Sequence, residues 1–336
     1  MESKQTKHLL SICIVSYNVK DYLAKCLKSI YTHLNQINFE VIVVDNNSLD
    51  HTQEMIANEF PQITLICNKD NKGFAVANNI AIKKATGSYI LLLNPDTIVC
   101  NNSIEELIKY LKNNPDCAIT GPKLLNEDAS IQNGVRQFPS LVTTIARNSW
   151  LKHLSYFKHK IDQAHMRHFD LNKSSFVDQV SGAALLFSRN TFNKLGFLDE
   201  RFFIFFEEVD YCKRAHNLGL NVFYNADSQI YHLGGKSRKQ INFNIKLIHL
   251  ESQLKYLKKH NTKTAYSLFI IFFKINYLIT LFTEFIIDII LISVLFLLSL
   301  LIKTNPIIKK LQYRQSKFHF RSFFITKKLF KFIFIM

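Results

Sequence analysis

A chain of 336 residues is long enough to bury a full core, which leaves room for one large domain and an appendage. Its net charge of +16 is unevenly placed: residues 1–240 carry +4 and residues 241–336 carry +12. The basic excess flanks a long apolar segment and does not lie among folded, aromatic-bearing elements, which disfavours a nucleic-acid groove and points to anionic lipid. Six cysteines are scattered without a Cys-x-x-Cys pair, as free buried thiols of a reduced domain would be. Met1 to Lys7 is polar and runs straight into a strand-like segment, so no secretory signal is expected and residues 1–240 are expected to stay in the cytoplasm.

Apolar, β-branched runs alternate with helical patterns through the first 120 residues. The pattern predicts strands near 10–16, 40–45, 63–67, 88–93 and 116–120, with helices near 19–33, 50–59, 73–85 and 102–113. The strands are apolar throughout, as befits a mainly parallel α/β sheet covered by helices on both faces. Residues 130–178 are less patterned and read as a variable loop. A strand over 180–188, with Ser181-Gly182 allowing close backbone approach, leads to a helix over 207–218 and a strand over 220–225.

Five short motifs fall at the ends of these elements: Ser11-Ile-Cys-Ile-Val-Ser-Tyr-Asn18, Val43-Val-Asp-Asn-Asn47, Asn71-Lys-Gly-Phe-Ala-Val-Ala-Asn-Asn79, Leu91-Leu-Leu-Asn-Pro-Asp96 and Phe202-Phe-Ile-Phe-Phe-Glu-Glu-Val-Asp210. In sheets of this kind ligands sit outside the carboxyl ends of the strands, which is where the motifs lie. Their order and gaps resemble the family 2 glycosyltransferases over residues 9–240, with the rhamnosyltransferase-like branch the nearest pattern. The resemblance implies a GT-A type fold. It also implies an inverting transfer of a sugar from a nucleotide-diphosphate donor (dTDP-, UDP- or GDP-linked).

Each motif carries chemistry and also admits an ordinary structural explanation. Asp96 puts a carboxylate at the sheet rim, suited to Mg2+ or Mn2+ bridging two phosphates; Asn-Pro-Asp is equally good turn or helix-cap chemistry. The family pattern has Asp-x-Asp here, and Asn94 replaces its first aspartate. Asp45 can accept from a base imide or simply cap a sheet end, and Ser16, Tyr17 and Asn18 could line the same base pocket. Lys72 and Gly73 stand at a helix start, a natural phosphate site and also an ordinary turn, with Asn78 one turn on. The resemblance makes these donor contacts.

Glu207, Glu208 and Asp210 open a helix, where acids complement the macrodipole. The preceding phenylalanines would also desolvate a carboxylate and raise its pKa toward that of a general base. The family pattern is Glu-Asp, with the second acid as base. Glu208 is therefore the expected base and Glu207 the reserve. His232 would be structural on composition alone; the resemblance makes it a metal or diphosphate ligand, with Lys236 and Arg238 beside it to neutralise the departing diphosphate.

Gln-x-x-Arg-Trp, carried by processive members, is missing, since Ser149 precedes Trp150, the single tryptophan; one or a few additions are expected. No G-x-G-x-x-G follows the first strand, which disfavours a dinucleotide oxidoreductase. Beyond residue 240 the expected order is a basic linker over 241–264, apolar helices embedded in or lying on a membrane over 265–302, and a basic tail over 303–336. Positive flanks on both sides favour a hairpin or an interfacial pair over a single span. A lipid-linked glycan at the cytoplasmic leaflet of the plasma membrane is the matching acceptor. The alternative is a membrane-bound sugar-nucleotide-binding or assembly protein without turnover.

Overall fold

The computed structural model describes residues 8–234 and 245–301. Its first part alternates β1 (Leu10–Ser16), α1 (Lys20–His33), β2 (Phe39–Asp45), α2 (Thr52–Glu59), β3 (Thr64–Cys67), α3 (Phe74–Lys84) and β4 (Tyr89–Leu93). Every residue of β1 is buried, so its apolar run serves both faces of the sheet. β1 pairs in parallel with β2 from Leu10↔Phe39 to Ser16↔Asp45, and with β4 from Leu10↔Tyr89 to Ile14↔Leu93. That register brings Ser16, Asp45 and the Asn94 to Asp96 segment to one edge.

The second part adds β5 (Thr97–Val99), α4 (Ser103–Asn113), β6 (Cys117–Leu125), β7 (Ile131–Gln132), β8 (Val135–Arg136), α5 (Leu141–Arg147), α6 (Ser155–Ala164), β9 (Ser175–Val177), β10 (Gln179–Val180), β11 (Ala184–Ser188), α7 (Arg189–Leu195), α8 (Glu207–Asn217) and β12 (Asn221–His232). The strand order is β3-β2-β1-β4-β11-β6-β12-β5. β11 is antiparallel to both β4 and β6, and β5 is antiparallel to β12. The sheet is therefore mixed: β1, β2, β3 and β4 form the parallel part that the alternation predicts, β6 and β12 add a further parallel pair, and the antiparallel β11 and β5 are the part it does not predict. The helix-strand alternation that signals parallel pairing ends at β6; beyond it the twelve-residue β12 still pairs in parallel with β6, whereas β7, β9 and β11 pair antiparallel.

Alternate residues of the central strands feed two cores. Ile12, Ile14, Val41 and Val43 pack with Leu23, Leu27 and Ile30 of α1 and Leu107 of α4. Cys13, Val15, Ile42 and Val44 face the other way, toward Ala77 and Ala81 of α3 and Tyr211 and Cys212 of α8.

Three expectations are revised. The strand expected over 180–188 breaks at residues 181–183: β10 pairs with β8 in a separate ribbon, and β11 begins at Ala184. The stretch 130–178, expected to be a loop, carries β7, β8, α5, α6 and β9. β12 runs to His232, well past the expected end at 225.

Among the described residues the chain divides into two compact units. One is 8–138 with 162–259, excluding 235–244; the other is 139–161 with 260–301. The first ends in α9 (Ile245–His260), whose Lys259 belongs to it. In the second, residues 263–301 form one helix, α10 (Lys263–Leu301), where a pair was expected. No helix is long and apolar enough, over its described residues, to cross a membrane. The basic tail over 303–336, Lys236 and Arg238 lie outside the described residues.

Candidate active site

At the carboxyl edge of the sheet, two links between strands, a helix start and a strand end meet around a cleft of about 180 Å3. Asn94 to Asp96 enters from the link between β4 and β5, and residues 181–183 from the gap between β10 and β11. Glu207 and Glu208 enter from the start of α8, and His232 from the end of β12.

Asp96 and His232 are brought together by a pairing that the sequence does not advertise. Thr97 of β5 pairs with His232 of β12, and the Leu233 N–H donates to the Asp96 carbonyl at 2.8 Å. The side chains meet with His232 Nε2 3.5 Å from Asp96 Oδ1, both buried. Asp96 does not cap α4, where Asn102 holds the N-cap position. His232 Nδ1 is engaged at 2.6 Å by Oε1 of Gln132, a residue that no motif singles out.

The two glutamates sit on a distorted entry to their helix. Phe205 and Phe206 both adopt left-handed backbone with φ of 71°, rare for aromatic residues and a form of strain that concentrates at functional sites. The turn drops Glu207 and Glu208 onto the first turn of α8, where each keeps one carboxylate oxygen buried without a hydrogen-bond partner among the described residues. Burial pushes the Glu207 carboxyl well up from the usual carboxylate range, and the adjacent Glu208 charge adds to it. Glu208 is raised by burial too, partly offset by backbone N–H groups of the helix start and by the Arg136 charge. Gly182 makes room: a Cβ there would lie 3.3 Å from both Cβ and Cγ of Glu208. Asp210, the third acid, is structural. It is fully buried and paired with Arg214 at 2.9 Å and with Lys259 at 2.6 Å.

The model of the family described as glycosyl transferase family 2 matches residues 11–173. That match spans just under half of the chain, and relatives that match beyond it are also named as glycosyltransferases; the chain is a glycosyltransferase similar to this family. This glycosyltransferase is 26% identical over 218 residues to the low-salt glycan biosynthesis hexosyltransferase Agl10 of Haloferax volcanii, covering 63% of each chain. It is 24% identical over 244 residues to the N-acetylglucosaminyl-diphospho-decaprenol L-rhamnosyltransferase of Mycobacterium tuberculosis, covering 67% of this chain and 76% of that one. It is 27% identical over 237 residues to the dTDP-rhamnosyl transferase RfbF of Shigella flexneri, covering 69% and 72%. The fold is also that of GalNAc-T7, solved with UDP, GalNAc and Mn2+. That likeness has a TM-score of 0.53 at 14% identity, over 75% of this chain and 48% of that one.

The residues expected on the nucleotide side of the glycosyltransferase form a second cluster at the neighbouring strand ends. Asp45 is fully buried and accepts from the Ser48 N–H at 3.0 Å, the Ser48 hydroxyl and Gln53 Nε2 at 2.7 Å. Asn18, in left-handed backbone, donates its N–H to Ser48 Oγ at 2.9 Å and accepts from the Leu49 N–H at 2.7 Å. Tyr17 beside it is half-buried, and the buried Ser16 hydroxyl has no partner among the described residues.

The α3 start is already occupied by the protein itself. The Phe74 N–H donates to the Phe203 carbonyl at 2.6 Å, and a Cβ on Gly73 would stand 2.5 Å from that oxygen. Lys72 is exposed and pairs with Asp70 at 3.0 Å. Asn78 is buried and donates back to the Phe74 carbonyl at 3.0 Å. Of the expected set, then, the cleft gathers Asn94, Asp96, Glu207, Glu208 and His232. It does not gather Lys72, Gly73 or Asn78.

Asp96 and His232 fit a divalent cation: a carboxylate oxygen and an imidazole nitrogen converge at the cleft, and the glutamates leave buried acceptor oxygens in the same space. No group of three or more such ligands occurs among the described residues. The diphosphate would have to complete the shell, as is usual for Mg2+.

Proposed function

We propose that the enzyme transfers a sugar, by inversion and without processivity, from a nucleotide-diphosphate sugar to a lipid-linked glycan in surface polysaccharide synthesis. Donor and acceptor are chosen by likeness. One relative is named for dTDP-rhamnose and another for a rhamnosyl transfer onto a decaprenol-linked N-acetylglucosamine, which supports a rhamnosyl donor and a polyprenyl diphosphate acceptor.

The observation that carries the reading is the Glu208 carboxyl. It faces the cleft that holds Asp96 and His232, with a pKa raised by burial and an oxygen free of protein partners among the described residues. As base, Glu208 takes the proton from the acceptor hydroxyl while that oxygen forms its bond to the anomeric carbon. The bond to the diphosphate oxygen breaks on the opposite face. Asp96 and His232 would hold Mg2+ or Mn2+, which supplies charge neutralisation for the leaving diphosphate when bound. Ser16, Tyr17, Asn18 and Asp45 serve the nucleotide at the adjoining strand ends.

Membrane attachment runs through the C-terminal region, at the cytoplasmic face. Leu268, Ile271, Phe272, Ile275 and Phe282 of α10 are all exposed, an apolar surface that water does not favour. The test is a panel of dTDP-, UDP- and GDP-sugars on detergent-solubilised protein with Mn2+ and a lipid-linked acceptor. The expected outcome is release of one nucleoside diphosphate and a product of inverted anomeric configuration. Nucleotide binding without release, with the acceptor supplied, would instead favour the sugar-nucleotide-binding alternative.

A further inference from the structure

We propose that Gln132 is a positioning residue that locks the tautomer of His232, as the last link of a hydrogen-bond chain that begins at Asp128. The inference rests on the reading of Asp96 and His232 as a cation site.

The chain lies on the hairpin between β6 and β7. Leu124↔Gln132 and Leu125↔Ile131 set its register, and the Asn126 N–H donates to the Ser130 carbonyl across the turn at 2.8 Å. β6 also pairs in parallel with β12, Leu124↔Ile230 and Leu125↔Tyr231, which carries His232 to the same level. Four side-chain contacts then run in sequence. Ser130 Oγ lies 2.6 Å from Asp128 Oδ1, and Asn126 Nδ2 lies 2.9 Å from Ser130 Oγ. Gln132 Nε2 lies 2.9 Å from Asn126 Oδ1, and Gln132 Oε1 lies 2.6 Å from His232 Nδ1.

An amide can be drawn either way round and an imidazole in either tautomer, so only the partners decide. Here they decide in one direction. Asp128 is exposed and receives both the Ser130 N–H and its hydroxyl, bonds that hold its carboxyl below the usual range and keep it an acceptor. The Ser130 hydroxyl, having donated to Asp128, accepts from the Asn126 amide nitrogen. Asn126 Oδ1 therefore accepts from Gln132, and Gln132 turns its oxygen toward the imidazole. Nδ1 must then be the nitrogen that carries hydrogen.

The consequence falls on the other ring nitrogen. With the single proton of a neutral ring held at Nδ1, Nε2 offers a lone pair beside Asp96 Oδ1, the form in which histidine binds a metal. In the opposite tautomer Nε2–H would donate to the Asp96 carboxylate and close the site. Nothing in the residue's position predicts this from sequence, because Gln132 sits 100 residues from His232.

The test compares Gln132→Leu, which removes the acceptor, with Gln132→Glu, which keeps one, in the full-length protein. Two readouts are used: Mn2+ binding, with Mn2+ alone as probe, by electron paramagnetic resonance, and the His232 tautomer by 15N NMR of histidine-labelled protein without metal. Gln132→Leu is expected to weaken Mn2+ binding about 10- to 100-fold and to shift the ring toward Nε2–H, whereas Gln132→Glu, which cannot donate to Asn126 Oδ1 but keeps an acceptor at Nδ1, should retain the Nδ1–H form. Asp96→Ala is the control. Loss of Mn2+ binding in Asp96→Ala but not in Gln132→Leu, with the Nδ1–H form retained, would overturn the relay and leave the cation site standing. Unchanged Mn2+ binding in both would overturn the cation reading and the relay with it.

Discussion

Asp45 and Glu208 both bring a carboxylate to the carboxyl edge of the sheet, yet their surroundings are opposite. The loop after β2 fills Asp45 with donors, the Ser48 N–H and hydroxyl and the Gln53 amide, before any ligand arrives. Glu208 sits behind two strained phenylalanines with one oxygen buried and unmet among the described residues, and its neighbour Glu207 shares that condition. A saturated carboxylate holds a loop in shape. An unsaturated one, raised in pKa, is poised to exchange a proton. Both residues were expected in the site, but they do different work there.

Substitution should separate them. Glu208→Gln is expected to lower kcat by about 10²- to 10⁴-fold, the usual worth of a general base, with donor affinity kept. Steady-state turnover beside a donor titration checks it. Asp45→Ala should loosen the loop on the nucleotide side, weakening donor binding and costing about 1–3 kcal/mol of stability for the donors left unpaired, read from urea unfolding. A large kcat effect at Asp45 with unchanged stability would erase the contrast. Gly182→Ala probes how closely Glu208 is held. A Cβ at 3.3 Å forces a shift of a few tenths of an ångström, for which about a tenfold fall in kcat with unchanged KM is expected.

The smallest effect expected is on stability against pH. Because burial raises the Glu207 pKa, the folded state keeps a proton that the unfolded chain releases. Stability from this group is whole below the ordinary value of 4.5 and declines as pH climbs from there toward the raised value. Glu207→Gln removes that loss. Its melting temperature should exceed that of the wild type near neutral pH and converge with it in acid, as calorimetry across pH would record.

How far the sequence foretold this can be argued from particular strands. β1, β2 and β4 fall within a residue or two of expectation because Ile12 to Val15, Val41 to Val44 and Ile90 to Leu93 are unbroken apolar runs. β12 continues past the expected end at 225 through the polar Asp227-Ser228-Gln229. In the structure the register slips between Asn225 and Gln229, and the buried Ser228 hydroxyl is satisfied by the Ser103 carbonyl at 2.7 Å. The strand then resumes and delivers His232. β5, at three residues, is too short for periodicity, yet its pairing is what sets His232 beside Asp96. The acidic residues of the cleft and the close approach at Gly182 are thus legible as motifs, whereas Gln132, and Glu208 as the group that Gly182 makes room for, depend on contacts between distant segments.

The deciding measurement sets the wild type, Asp96→Ala and Glu208→Gln side by side, for donor binding and for Mn2+-dependent release of nucleoside diphosphate. Metal-dependent release is expected from the wild type, weakened donor and metal binding in Asp96→Ala, and intact binding with release lost in Glu208→Gln. Release by Glu208→Gln at the wild-type rate would contradict the assignment of Glu208 as base.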